Sequence, residues 1–360
     1  MRTKIIAALL AVLTALGGLN LFKSIKDRLT QPTPAQTSEV VVYSDATEEG
    51  TSKIRVRVKA KSSVRTESKV RVRTASASEV MIEERFSVRT GQTLAIDVTH
   101  ADVEIETGNV TEAHIRVTLD SNNMERARER FELMNFQVFQ VGDEVRIESE
   151  SPKNNWSWNW KGKFAINILV SIPEEFNTEI KTTHGDVELD DISGFVFLNT
   201  THGDISVESI RGPEILLKST HGDIEAVALL SDEIVVKTSH ADIEIEEVDS
   251  KHFSATTTHS DVTIERLAGD SEITTSHGDI EITVLKNFSS ELKTSHGDVT
   301  VYAPKDFSAE LDLEASHVRV SSSFSLIGSV KKDRVKGMIN GGGSRIRART
   351  THGSIELKNR

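Results

Sequence analysis

Eight times between Thr182 and Val320 the chain returns to one phrase: Thr or Ser, then His, then in most copies Gly-Asp, then Val or Ile. The histidines are His184, His202, His221, His240, His259, His277, His296 and His317, spaced by 18 or 19 residues with one step of 21. A fixed period of this length is the mark of stacked structural units, each too short to bury its own apolar face. Within a unit, Ile280 and Ile282 alternate with Glu281 and Thr283. That is the period-2 pattern of a strand with one dry and one wet side. The expected fold is therefore all-β, a β-solenoid of roughly 19-residue coils, with Ile282 inside. Coils about 4.8 Å apart would make the seven steps from His184 to His317 a body on the order of 35 Å long.

The phrase reads as a corner between strands. Gly permits a positive φ and Asp bonds its own backbone, and the exceptions Ala241, Ser260, Val318 and Arg319 fit a corner that is preferred for its shape. His184, His202, His221, His240, His259, His277 and His296 then form a structural ladder. A metal ion needs ligands converging on a point, whereas a stacked column sets them in a row, so no metal and no cofactor is expected. Each His is followed two positions on by a carboxylate, as in Asp186, Asp204 and Asp223. On that count the carboxylates should outweigh repulsion between rings and raise the histidine pKa values.

Residues 1–22 place Arg2 and Lys4 before an apolar run that ends at Gly17-Gly18, with Lys23, Lys26 and Arg28 following at once. This is the layout of a secretory signal, cleaved near Ala15-Leu16-Gly17, or of a retained membrane anchor. The chain is expected outside the cytoplasm, in the periplasm or at the cell surface. Residues 23–81 form a basic, Ser/Thr-rich linker. Thr51 to Ala75 carries nine cations against Glu67, while residues 76–360 carry 29 cations against 49 carboxylates. Lys53, Arg55, Arg57, Lys59, Arg71 and Arg73 are candidates for anionic contact, and Ile54 to Val58 and Val70 to Arg73 suit a basic hairpin. With no interleaved aromatics, nucleic acid is not expected. The chain has no cysteine, so no disulfide contributes.

Residues 82–180 read as an N-terminal capping region. Phe86-Ser87-Val88 and Leu94-Ala95-Ile96 suit strands, and His100-Ala101-Asp102 is a degenerate copy of the phrase that suits an early coil. Met124, Ala127, Phe131 and Met134 recur at helical spacing between Asn122 and Phe136, giving one helix to cover the end of the stack. Trp156, Trp158 and Trp160 share one side if extended, forming a candidate ligand or membrane-interface face; packing of the same rings on their own domain is the competing assignment. Residues 181–360 carry the solenoid and a closing segment. Ser321 to Gly337 reads as a polar insertion, and Gly341-Gly342-Gly343 as a tight turn, since it lacks the Lys and following helix of a phosphate loop.

Glu84-Arg85-Phe86-Ser87-Val88, the interrupting helix, the strand before Pro173, the repeated Thr-x-His-Gly-Asp-Ile units and Asn340-Gly341-Gly342-Gly343 together resemble a bacterial family of candidate adhesins of unknown function, built of β-strand repeats, over residues 82–360. The resemblance implies an exported or membrane-tethered protein and transfers no catalytic residue. The reading is a noncatalytic cell-envelope or surface protein, adhesin-like or scaffolding, whose partner is an envelope polymer, a lipid surface or another protein. The alternative is a β-helix enzyme acting on polysaccharide. Such a site needs one distinct pair of carboxylates or a metal, and here Asp and Glu are spread evenly along the repeats.

Overall fold

The protein is described by a computed structural model, which covers residues 37–45, 53–61, 77–150, 164–285 and 288–360. The chain divides into two units, Met1–Ala75 and Ser76–Arg360. In the first, the strand Thr37–Asp45 runs antiparallel to Lys53–Lys61, with Val40 opposite Val58 and Val42 opposite Val56. Glu39 faces Lys59 and Asp45 faces Lys53 in the register. The basic strand thus pairs with an upstream strand; Val70 to Arg73, the other half of the expected basic hairpin, lie outside the described residues.

The second unit is the expected solenoid. The long strands Ile205–Lys218, Ile224–Lys237, Ile243–Thr256 and Val262–Thr274 lie parallel in register, coil on coil. Each bends around the body, and like residues stack: Ile205, Ile224, Ile243, Val262, Ile280 and Val299 form one inward row. Ile215, Ile234 and Phe253 form another. These residues are 0–2% exposed, and burying each such side chain contributes about 1.5–3 kcal/mol. A slip of one residue between coils would turn these side chains outward and the charged ones in.

Both ends of the stack are laid down out of chain order. At the N-terminal end, Thr93–His100 and Asp102–Gly108 make one coil. It is flanked on one side by Asn177–His184 and Val187–Leu189, and on the other by Glu144–Glu148 and Phe164–Pro173. Residues 93–108 therefore sit between two coils that follow them in sequence. At the C-terminal end, Ser344–Arg349 and Ser354–Asn359 lie between Ser290–Lys293 with Val299–Ala303 and Ala309–Glu314 with His317–Val320. The last-made coil fills a slot bounded by two earlier ones.

The helix Met124–Leu133 is capped by the Asn123 carboxamide oxygen, which accepts from the Arg126 amide. Its face of Ala127 and Phe131, with Met134 after it, joins the core, and Phe131 stacks on Phe136 at 4.8 Å. Arg130 lies 5.3 Å over the Phe164 ring. The stretch read as a polar insertion is instead a β-hairpin, Leu326–Val330 with Arg334–Ile339, added antiparallel to Ala309–Glu314. Val335 and Ile339 point inward and complete the last coil.

The corner glycines are required for close approach of backbones rather than for a positive φ. A methyl group built on Gly203 would collide with the Gly185 carbonyl, and one on Gly222 with the Gly203 carbonyl. Ala241 and Ser260 occupy the same column, where the neighbouring imidazoles stand 4.9, 4.9 and 5.2 Å apart, against 4.5–4.8 Å elsewhere. Gly203→Ala is expected to cost about 1–3 kcal/mol. Urea unfolding measures it, and an unchanged midpoint would show that the corner at Gly203 opens without cost.

Candidate binding surface along the histidine corner

Two hydrogen-bonded ladders and one ring stack build the corner. A buried hydroxyl inside it donates to the carbonyl of the coil below: Ser219 to Gly203 at 3.1 Å, Thr257 to Ala241 at 3.2 Å and Thr294 to Gly278 at 3.0 Å. The same oxygen accepts the next-but-two amide, as from Gly222 to Ser219 at 2.9 Å. The second ladder is made by the aspartates. The amide of Asp204 donates to Asp186 Oδ1, that of Asp223 to Asp204 Oδ1 and that of Asp242 to Asp223 Oδ1, each at 3.0 Å. The series runs on to Asp298, whose Oδ1 accepts from Ser354 at 2.7 Å.

The ring stack is the imidazole column. Nine rings stack within 8° of parallel, in the spatial order His100, His184, His202, His221, His240, His259, His277, His296, His352. The seven ladder residues named from the sequence are all in it. Two further members were not placed there: His100, from the degenerate phrase, and His352, from the closing one. His317 pairs in register with Ser354 instead, two residues beyond the column, because the coil carrying His352 is interposed. The cue to His352 was Thr351-His352-Gly353, a better copy of the phrase than Ser316-His317-Val318.

His202 Nδ1 lies 3.3 Å from the Thr183 carbonyl and His221 Nδ1 lies 3.2 Å from the Thr201 carbonyl. A carbonyl only accepts, so in the neutral ring Nδ1 carries the proton and Nε2 keeps its lone pair. All members but His100 are exposed, and they present this edge once per coil. A metal ion bonded to imidazole at 2.0–2.1 Å spans at most about 4.2 Å between two nitrogens, short of the 4.5–5.2 Å repeat. Among the described residues no group of three His, Asp or Glu is arranged to hold a metal ion.

The expected rise in histidine pKa is reversed at the N-terminal end of the column. Burial, then the neighbouring His184 and Arg130, push His100 down to about 4. Burial and His202 lower His184. Burial, together with repulsion from the neighbouring cationic groups, outweighs the expected effect of the carboxylates at these two rings.

A shallow groove of about 480 Å³ lies on another side of the solenoid, beside the register shift between Asp249 and His252. Glu233, Asp270, Glu272, Glu291, Arg345 and Arg347 line it. Lys293 bonds Glu291 at 2.7 Å and holds its pKa below the usual value. That carboxylate stays ionised, the opposite of what a glycosidic general acid needs.

Trp156, Trp158 and Trp160 lie outside the described residues, as do Arg71 and Arg73. Lys53, Arg55, Arg57 and Lys59 fall on the strand Lys53–Lys61. Among the described residues no helix is long and apolar enough to cross a membrane.

The fold and this corner define a β-solenoid repeat protein. The chain belongs to the Toastrack DUF4097 family, which matches residues 92–358. No curated protein is significantly similar to it. Among solved structures it is similar to a candidate adhesin from Parabacteroides merdae, with 10% identity, a TM-score of 0.44, and coverage of 77% of this chain and 95% of that one. A candidate adhesin from Parabacteroides distasonis gives 11% identity and a TM-score of 0.45, over 77% and 96% of the two chains. A candidate lipid-binding protein from the same species gives 15% and 0.43, over 78% and 96%.

Proposed function

We propose that the protein is a noncatalytic, exported envelope or surface protein that binds a repeating envelope polymer along the histidine corner, in an adhesin-like or scaffolding role. The observation that carries this reading is the column itself. Eight exposed imidazole edges recur at 4.5–5.2 Å, so coil after coil offers the same donor and acceptor set. A repeating ligand can engage such a face many times over, and modest contacts then add through effective concentration. A single small molecule would find no convergent pocket there. Co-sedimentation with isolated envelope glycans tests it. His221→Ala with His240→Ala should release the polymer while circular dichroism keeps the β signal, and binding that survives both changes would sink the assignment. Cleavage of the glycan by purified protein would instead favour the polysaccharide enzyme.

Location and the aromatic face carry their own tests. A reporter fused after Phe22 should be active only outside the cytosol, and activity confined to the cytosol would contradict export. Changing Trp156, Trp158 and Trp160 to Ala should weaken glycan or membrane association about tenfold or more, as loss of stacked aromatic contacts does, with the β signal intact. Loss of the β signal would assign these rings to packing.

A further inference from the structure

The hairpin Leu326–Val330 with Arg334–Ile339 exposes Ile327 at 68% and Met338 at 46% on one face, while Val330, at 64%, stands beside the turn on the face it shares with Val335. Leu326–Val330 is the outermost strand of its side of the solenoid, paired only with Arg334–Ile339. Its turn folds over the other side, where the amides of Ala315 and Val318 donate to the carbonyls of Asp333 and Lys332 at 3.0 and 2.8 Å. The hairpin thus closes the C-terminal end of the stack. Ile327 and Met338 face each other across the pair on the side turned away from the core, and Ser329 and Lys336 continue that side.

Charge separates this end from the rest. Residues 326–339 hold Lys331, Lys332, Arg334 and Lys336 against Asp333, while residues 76–360 as a whole carry 29 cations and 49 carboxylates. Arg334 is occupied by Asp312 and Glu314. Lys331, Lys332 and Lys336 are exposed and form no ion pair among the described residues. Glu310 and Asp312 lie opposite Met338 and Lys336 in the register, and Asp312 is itself engaged by Arg334, Arg345 and Arg347. Apolar side chains beside unpaired lysines suit an interface of acyl chain and anionic headgroup, because the lysine stems lie along the apolar layer while the ammonium groups reach the phosphates. A body with a 20-charge acidic excess is repelled by the same surface, so contact is end-on.

The geometry points to this hairpin as a docking element for an anionic lipid membrane. The inference is independent of the polymer reading, since it uses a different end of the molecule and a different ligand. The chain lacks cysteine, so Ser329→Cys carries one environment-sensitive fluorophore on the full chain, with Lys237→Cys as the probe for the middle of the stack. Vesicles of phosphatidylcholine with phosphatidylglycerol should shift the Ser329→Cys emission to the blue and leave the Lys237→Cys probe unmoved. Lys331→Gln, Lys332→Gln and Lys336→Gln together should lower partitioning by about 100-fold, since each lysine near the surface contributes about a factor of five. Equal response from both probes, or silence at Ser329→Cys when the chain sediments with vesicles, would overturn the assignment. So would a shift that needs no vesicles and grows with protein concentration, which would mark self-association through the hairpin.

Discussion

Ile282→Asp will cost on the order of 5 kcal/mol and leave the solenoid largely unfolded in dilute buffer. Ile282 is fully buried, with Ile264 in the coil below and Val301 in the coil above. A carboxylate there meets apolar side chains on both sides of the stack, and it must either lose its hydration without a partner or force the coils apart. Because each coil touches only its neighbours, the damage cannot be shared along the body. Ile282→Val removes one methylene and should cost only about 1 kcal/mol. Urea unfolding followed by circular dichroism distinguishes the two, and an Asp variant as stable as the Val variant would mean that Ile282 is not enclosed.

Acid will destabilise the N-terminal end of the column before most carboxylates titrate. His100, held at about 4, and His184, also lowered, are stabilised as neutral rings in the folded state. A depressed histidine contributes stability that is fully present above the unfolded value of about 6.5. That stability is lost as pH falls through the folded value, with the decline running from about 6.5 to about 4 for His100. The loss is roughly 2–3 kcal/mol for His100 after discounting for solvent near a half-buried ring. Charging both rings adds repulsion, since unit charges at the 4.6 Å separation of His100 and His184 oppose each other by about 0.9 kcal/mol even in water. His100→Gln should flatten the decline. An imidazole signal for His100 that titrates above 6.5 would contradict the direction.

What the sequence made legible was whatever depends on nearest neighbours along the chain. Alternation of Ile280 and Ile282 with Glu281 shows that both isoleucines face inward; Thr283, expected on the wet side, is buried instead, and Val284 after it is buried as well. The 18- and 19-residue spacing likewise brings His184 to His296 into one column. Less legible was anything set by the path of the chain in space. Nothing local to His317 says that another coil will come between it and His296, so its place went to His352. The pKa direction is set by burial of His100 and His184 at the covered end of the column, which the repeat phrase alone does not reveal. The Ser321 to Gly337 stretch reads as polar because its exposed Ile327 and Val330 are spread among Gly, Ser and Lys.

The interposed coils at both ends constrain how this protein can change in length. A repeat duplicated between residues 177 and 303 adds one storey, since each coil there follows its predecessor in chain order. Duplicating 93–108 or 344–359 cannot do so, because each is wedged between two others and an extra copy would have to part a finished pair of coils. The termini of the stack act as fixed bookends, and lineages of this chain should differ in storey number only through gains and losses in the middle.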